Sequence, residues 1–488
     1  MFIGREIELA KLNKLYDSNK FECAVIYGRR RVGKTTLIQE FCKDKKAIYF
    51  VAIESTMQNN LVNLSNSIFS VTMPGIGFTA GSFNNRNFTA ESFDAIKYTP
   101  ETFNDWPTYD KLDKALDYLH AIASKERIVF VIDEYPYLAS ADKSVSSVLQ
   151  AYIDHKFKAS NMMLILCGSS MSFMENQVLG YKSPLYGRRT AQFKISPFDY
   201  YTSAQFCKDY SNYDKSIVYG ITGGIPQYLA LIDCALTLKE NIVSNFLDPS
   251  GYFFEEPSNL LKQELREPQT YNAIIAAIAG GASKLNEIAT AVGIDTGVCA
   301  TYIASLMALG ILKKEKPVGE EKSKKSIYRI TDNMFRFWYR FVPGNINAIT
   351  ANNGELVYDR VIAPKLGEYM GGIFEQMCVE YLHRINNTDR LPFPFFDIGR
   401  WWGNDPKEKR QAEIDIVAIY KEEKKALFCE CKFRKEPLGQ GVADNLMKNS
   451  ELIKGYEQKY YCLFSLTGFA DGLNSENLHA VSLDDMYE

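Results

Sequence analysis

Histidine is scarce in this chain of 488 residues: His120, His155, His383 and His479 are the whole set, and no two stand four apart, which excludes a zinc site of the HExxH kind. The ten cysteines include no CxxC pair and sit in apolar surroundings, so they read as reduced thiols packed like small hydrophobes. No hydrophobic run is long. The uncharged run QTYNAIIAAIAGGAS falls short of the roughly 20 residues a membrane span needs and is broken by Gly-Gly. The opening MFIGREIELAKL is charged and lacks an apolar core, so no secretory signal is expected. An excess of positive charge is missing too: at a net charge of -3, any nucleic-acid contact has to come from local patches. The expectation is a cytoplasmic protein that makes no membrane contact.

What is present is the composition of a folded chain, 46% hydrophobic and 24% charged, long enough for roughly three domains. In CAVIYGRRRVGKTTLIQEF an apolar run, Cys23 to Tyr27, leads into GxxxxGK[ST] and then an amphipathic stretch, the strand, loop and helix context of a P-loop. Gly28 and Gly33 permit the turn. The backbone amides of Arg29, Arg30, Arg31 and Val32 cradle phosphate oxygens, Lys34 reaches the β- and γ-phosphates, and Thr35, with Thr36 behind it, holds Mg²⁺ at the helix start. The three arginines add positive potential or are simply solvated. A second run, RIVFVIDEYPYL, ends in Asp133 and Glu134, a Mg²⁺-shell carboxylate and a water-polarising base; the plainer alternative is a helix cap with a first-turn Glu. A third, MMLILCGSSMSF, ends at Ser169 and Ser170, where a hydroxyl either senses the γ-phosphate or caps a helix. SPLYGRRT offers Arg188 and Arg189, with Arg188 the candidate arginine finger in cis or in trans.

FIGREIELAKL, GRRRVGKT, FVIDEYPYL, LCGSS, PLYGRR and TGGIPQYL stand in the order found in archaeal-type P-loop ATPases of the AAA-like and STAND-related group, and over about the first 260 residues the chain resembles that family. The resemblance implies ATP as ligand, Phe2, Gly4 and Arg5 near the adenine, and the turn from Gly223 to Pro226 as a lid element close to the nucleotide. The segment from Val71 to Trp106 is longer than such proteins usually have, and its Gly, Asn, Ser and Phe content reads as a loop-bearing insertion.

Further on, TYNAIIAAIAGGASKLNEIATAVGIDTGVCATYIASLMALG reads as a helix-turn-helix with Asp295 or Thr296 as N-cap, and ILKKEKPVGEEKSKKSIYRI as a wing. The wing tip from Lys313 to Lys325 holds six Lys against three Glu and either touches phosphates or is solvated. The second helix has no Arg, Lys, Asn or Gln with which to read bases, which argues against sequence-specific readout. YRITDNMFRFWYRFV resembles the segment that follows the winged helix in family members carrying a C-terminal domain of unknown function; its aromatic stripe reads as core.

The last third places AEIDIVAIY and LFCECKF on either side of KEEKK. Strand alternation sets Glu413, Asp415 and Val417 on one face and Ile414, Ile416 and Ala418 on the other, while Glu430 and Lys432 share a face. A symmetric turn between Glu422 and Glu423 sets Asp415 opposite Glu430. Opposed carboxylates repel unless a cation lies between them, and Mg²⁺ with Asp415 and Glu430 as ligands, Lys432 alongside, would supply it. The arrangement resembles the PD-(D/E)XK nuclease core, which implies Glu375 as the additional acidic residue from the preceding helix. The alternative is a plain Glu430–Lys432 strand pair without metal. Arg400, Lys407, Lys409 and Arg410 could flank a phosphate track, with Trp401 and Trp402 either stacking or packed.

The expected fold is therefore α/β: a P-loop NTPase parallel sheet over 1–195, a helical lid over 196–262, a winged helix-turn-helix over 263–345 and an α/β nuclease-like domain over 346–488. The expected function is Mg²⁺-dependent ATP hydrolysis, with Lys34, Glu134 and Arg188 acting on ATP, and with Glu375, Asp415, Glu430 and Lys432 acting on DNA. The rival is an ATP-dependent switch or scaffold that forms homo-oligomers or binds a protein partner, in which the nuclease-like domain binds without cutting.

Overall fold

The computed structural model describes residues 2–72, 108–320, 325–473 and 477–488. The chain divides into two compact units, Met1–Ser196 and Pro197–Glu488. In the first, β1 (Glu22–Tyr27), β2 (Ala47–Val51), β3 (Ile128–Asp133), β4 (Met162–Gly168) and β5 (Ala191–Lys194) form one wholly parallel sheet in the order β2-β3-β4-β1-β5. Every residue of β1, β3 and β4 is buried, which is why these strands read as continuous apolar runs: both faces of the sheet are covered. Cys23, Val25, Phe130 and Leu164 pack on one side. Ala24, Ile26, Val129 and Ile165 pack on the other, against Leu37, Ile38 and Phe41 of the helix Lys34–Cys42. Val71 and Thr72 end the helix Met57–Thr72, and the rest of the expected insertion through Trp106 lies outside the described residues.

The second unit opens with short helices. Phe198 donates its backbone N–H to the Gly224 carbonyl at 2.7 Å, and a β-carbon on Gly224 (φ +69°) would stand 1.9 Å from the Phe198 carbonyl oxygen, so only glycine fits this crossing. Pro226 begins the helix Pro226–Leu229 two residues later. The helices Pro268–Ala279, Leu285–Val292 and Thr296–Ala308 then precede an antiparallel hairpin of β6 (Leu312–Glu315) and β7 (Ile327–Ile330). Of the two candidate caps Asp295 is the one used: its carboxylate accepts from Gly297 N at 2.7 Å and Val298 N at 3.3 Å. In the helix Asn333–Phe341 the aromatic stripe is core, with Phe335, Phe337, Trp338 and Phe341 all buried.

The second sheet has the order β12-β11-β10-β9-β8, built from β8 (Asp397–Asp405), β9 (Arg410–Tyr420), β10 (Lys425–Lys432), β11 (Gln458–Ser465) and β12 (Leu478–Ser482). The pairs β8–β9 and β9–β10 are antiparallel; β10–β11–β12 are parallel, with the helix Gln440–Ser450 crossing over between β10 and β11. Pairing of β9 with β10 runs from Tyr420 opposite Lys425 to Ile416 opposite Cys429, the register of a turn centred between Glu422 and Glu423. One expectation needs correcting. Ile414 packs with Val417 and Ile419, whereas Ile416 and Ala418 pack in the other cluster. The cause is a bulge: Gly399 faces Val417 but Trp401 faces Ile414, so Arg400 stands against two residues, Asp415 and Ile416. Such a bulge re-aims side chains, here at the candidate acidic position. Among the described residues no single helix is long and apolar enough to cross a membrane.

Candidate functional site

In the first unit the P-loop leaves the carboxyl end of β1 and turns into the helix Lys34–Cys42, with Arg31 (φ 73°) and Gly33 (φ 87°) in the left-handed region. A β-carbon on Gly28 would lie 2.3 Å from the Ile195 carbonyl oxygen, so the loop needs glycine where it passes the chain beyond β5. Lys34 is buried, and its Nζ donates to the carbonyls of Gly28 at 2.9 Å and Arg29 at 3.0 Å. Thr35 Oγ1 donates to Asp133 Oδ2 at 3.2 Å, while Thr35 and Thr36 are exposed at the helix start. Val32 is packed in the core, and its carbonyl accepts from Arg5 Nη2 at 3.3 Å. Arg30 Nη2 donates to the Tyr137 hydroxyl at 2.9 Å.

Glu134 follows Asp133 in left-handed backbone (φ 51°), and its Oε2 accepts from Ser169 Oγ at 2.9 Å and Ser169 N at 3.3 Å. Thr35, Asp133, Glu134 and Ser169 are thus gathered at the carboxyl ends of β3 and β4, beside the loop. Tyr49, which motif reading overlooks, donates its hydroxyl to Asp133 Oδ2 at 2.6 Å. Burial, then the charge and hydrogen bond of Asp133, push the Tyr49 phenol far up, so it remains a donor. Its signal was available: Tyr49 is the one polar side chain in the strand AIYFV.

Arg188 is not brought to this group. Its Nε and Nη2 bind Asp154 Oδ2 at 3.0 and 2.5 Å, and Nη1 donates to the carbonyls of Pro184 and Tyr186 at 2.9 and 3.1 Å. Two residues later Thr190 pairs with Cys23 near the amino end of β1, roughly 15 Å of strand from the P-loop end. In this structure the guanidinium is held by Asp154, and a role as an arginine finger would require it to leave that partner.

In the second unit the helix Leu366–Ile385 carries Glu375, β9 carries Asp415, and β10 carries Glu430 and Lys432. Lys432 Nζ lies 2.5 Å from Glu430 Oε1 and 3.6 Å from Asp415 Oδ2, so the ammonium stands beside both carboxylates. Asp415 Oδ2 also accepts from Cys431 N at 2.9 Å. Arg400 bridges Glu375 at 3.5 Å and Glu413 at 3.1 Å and is thereby a partner of the acids rather than part of an open phosphate track. Its carbonyl accepts from Val318 N at 2.9 Å, which seats the hairpin that follows the three helices against β8.

Burial raises the Glu375 carboxyl, Arg400 opposes this and Asp415 adds to it; burial and then Asp415 raise Glu430, against the pull of Lys432. For Lys432 burial is the largest influence and lowers it, yet Asp415 and Glu430 together outweigh it and hold the ammonium charged. Among the described residues no group of three or more His, Cys, Asp or Glu is gathered so as to hold a metal ion. Trp401 is packed and not available for stacking, and Arg410 is engaged by Glu408 at 2.7 Å and Asn449 at 2.7 Å.

Residues 2–232 match a family model described as an ATPase domain predominantly from Archaea, and residues 338–446 match one described as archaea bacterial proteins of unknown function. An uncharacterized protein of Methanocaldococcus jannaschii is 33% identical over 469 residues, 95% of each chain. An uncharacterized ATP-binding protein of the same organism is 48% identical over 46 residues, 9% of this chain and 78% of that one. Among solved structures, the Walker-type ATPase of Pyrococcus abyssi is similar with a TM-score of 0.49 at 20% identity, covering 70% of this chain and 96% of its own. The ORC2 protein of Aeropyrum pernix has a TM-score of 0.43 at 14% identity, covering 71% and 94%. With nearly its whole length aligned to one relative and its parallel-sheet unit matched by the archaeal ATPase model, the chain belongs to the archaeal P-loop ATPase family and is an ATP-binding ATPase.

Proposed function

We propose that the chain is a cytoplasmic, Mg²⁺-dependent ATPase whose nucleotide state governs a DNA-binding carboxyl-terminal domain of the PD-(D/E)XK nuclease type. In this reading residues 1–195 are the ATPase domain, 196–262 a helical lid that carries Pro226, 263–345 a winged helix and 346–488 the nuclease-like domain. The donor set at the P-loop, a hydroxyl from Thr35 and a carboxylate from Asp133, is hard oxygen and fits magnesium. Magnesium bound there would neutralise charge on the β- and γ-phosphate oxygens. Lys34 gives up its two carbonyl partners to phosphate, Glu134 orients the attacking water, and Ser169, now donating to Glu134, holds that carboxylate until the γ-phosphate competes for the hydroxyl.

The observation that carries the nuclease reading is the meeting of Asp415, Glu430 and Lys432 at a strand bulge, with Glu375 close enough for Asp415 to perturb it. These carboxylates are hard-oxygen donors suited to Mg²⁺ or Mn²⁺. The hairpin contact at the Arg400 carbonyl supports the link between the parts: moving the winged helix moves the backbone of the residue that pairs with Glu375. One observation favours the switch reading instead. Arg400 is shared by Glu375 and Glu413, and Lys432 by Asp415 and Glu430, so each of these acids already has a cationic partner as it stands. On that reading the domain binds without cutting, and ATP drives assembly with copies of itself or a protein partner.

The test is cleavage of plasmid and single-stranded DNA by the full chain with Mg²⁺ or Mn²⁺, with and without ATP, beside Lys432→Ala. Metal-dependent cutting that the substitution abolishes while ATP turnover continues supports the nuclease. ATP turnover with no cutting under any condition, and oligomerisation that follows ATP, replaces it with the switch.

A further inference from the structure

Eight of the ten cysteines are buried, Cys207 among them, while Cys42 and Cys234 are half-buried; Cys207 and Cys234 form a pair of which one member is within reach of the surface. Their Sγ atoms stand 2.6 Å apart, inside van der Waals contact and close to the disulfide bond length of about 2.05 Å. Cys207 is buried just beyond a short turn of helix, Ala204–Phe206, while Cys234 is half-buried in the loop that precedes the helix Leu238–Phe246.

Side-chain hydrogen bonds hold the loop that carries Cys234. The Tyr210 hydroxyl donates to the carbonyls of Asp233 and Leu236, on either side of Cys234. Asn241 fastens the same loop, accepting from Asp233 N at 2.9 Å and donating to the Asp233 and Thr237 carbonyls at 2.8 and 3.2 Å. Little chain movement separates the dithiol from the bond. The contrast is Cys429 and Cys462, which face each other on β10 and β11 but lie buried in the core, where no small oxidant reaches them.

We propose that Cys207 and Cys234 are a reversible thiol–disulfide site, oxidised by small-molecule disulfides. Cys234, the reachable thiol, attacks as thiolate one sulfur of the oxidant; the oxidant's S–S bond breaks and its first half leaves as a thiol after taking a proton. Cys207 then loses its proton and attacks Cys234 Sγ, expelling the second half as a thiol. The protein pair gives up two electrons and two protons, and the oxidant takes both as two thiols. The new bond closes a loop containing the helix Asn212–Thr222 and the turn from Gly223 to Pro226.

The probe is glutathione disulfide on the reduced full chain, read by thiol titration after denaturation and by peptide mass mapping. The expected result is the loss of two of the ten titratable thiols, a cross-linked peptide pair containing Cys207 and Cys234, and its reversal by a reductant. Cys207→Ser should trap a stable glutathione adduct on Cys234, and Cys234→Ser should react at neither position. A persistent adduct on Cys234 in the unsubstituted chain, pairing of any other two cysteines, or retention of all ten thiols would each overturn the assignment.

Discussion

Replacing Glu380 by glutamine should flatten the pH dependence of stability of the second unit. Glu380 lies on the same helix as Glu375, and its Oε1 accepts from the Tyr219 hydroxyl at 2.6 Å and Gln376 Nε2 at 3.0 Å, while Oε2 accepts from Tyr200 N at 3.0 Å. Burial nevertheless raises it from an ordinary 4.5 to about 7, against those three hydrogen bonds, with Asp199 adding to the rise. The folded state therefore holds this proton more tightly than the unfolded chain. Below about pH 4.5 both states are protonated and the group costs nothing; as the pH rises through about 7 the folded state must carry a buried charge, and stability is lost. At about 1.4 kcal/mol per pH unit the loss is about 3 kcal/mol.

Glutamine cannot ionise and removes that slope. It also sets an amide N–H₂ against the Tyr200 N–H, a conflict of about 1–3 kcal/mol that does not change with pH. The measurable quantity is thus the change with pH of the difference between variant and parent. Urea unfolding between about pH 5 and 8, followed by tryptophan fluorescence, reads it, because Trp338, Trp401 and Trp402 all belong to this unit. The variant should gain about 3 kcal/mol on the parent across that range. Parallel pH profiles for the two proteins would refute the argument.

Glu134→Gln should cut ATP turnover on the order of a hundred- to ten-thousand-fold while nucleotide binding survives, since the amide still accepts from Ser169 but no longer polarises water; equal loss of binding and turnover would point to a structural role instead. Gly224→Ala should destabilise the second unit by about 2 kcal/mol or more, through a positive φ and a β-carbon forced onto the Phe198 carbonyl, measured by the same urea titration; a change under about 0.5 kcal/mol would show that the crossing relaxes freely.

What could be read beforehand follows the distance along the chain over which each feature is decided. The P-loop is contiguous, and Asp133 and Glu134 end an apolar strand whose length fixes where they emerge, so a local pattern carries the site. The β9–β10 register is equally local, because a four-residue turn at Lys421–Lys424 leaves one symmetric pairing. The bulge at Arg400 depends on β8, a third strand, and no feature of AEIDIVAIY marks it. Arg188, in a turn, looks like a free finger until Asp154, 34 residues earlier on the helix Val145–His155, takes its guanidinium.

Glu380 was half-legible: it is a carboxylate beside the apolar stripe Ile373, Phe374, Met377 and Tyr381, which warns of a buried charge without naming Tyr200 and Tyr219 as its donors. The same limit bears on function. Whether the carboxylates at the bulge await a metal or are content with Arg400 and Lys432 is a matter of ion pairing between a helix and three strands, and such pairing has no period in a sequence. The motif supplies the acids and Lys432; Arg400, which pairs with Glu375 and Glu413, comes from a third strand outside it. The cost of displacing those cations, more than the presence of the acids, therefore separates a nuclease from a nucleotide-driven binder.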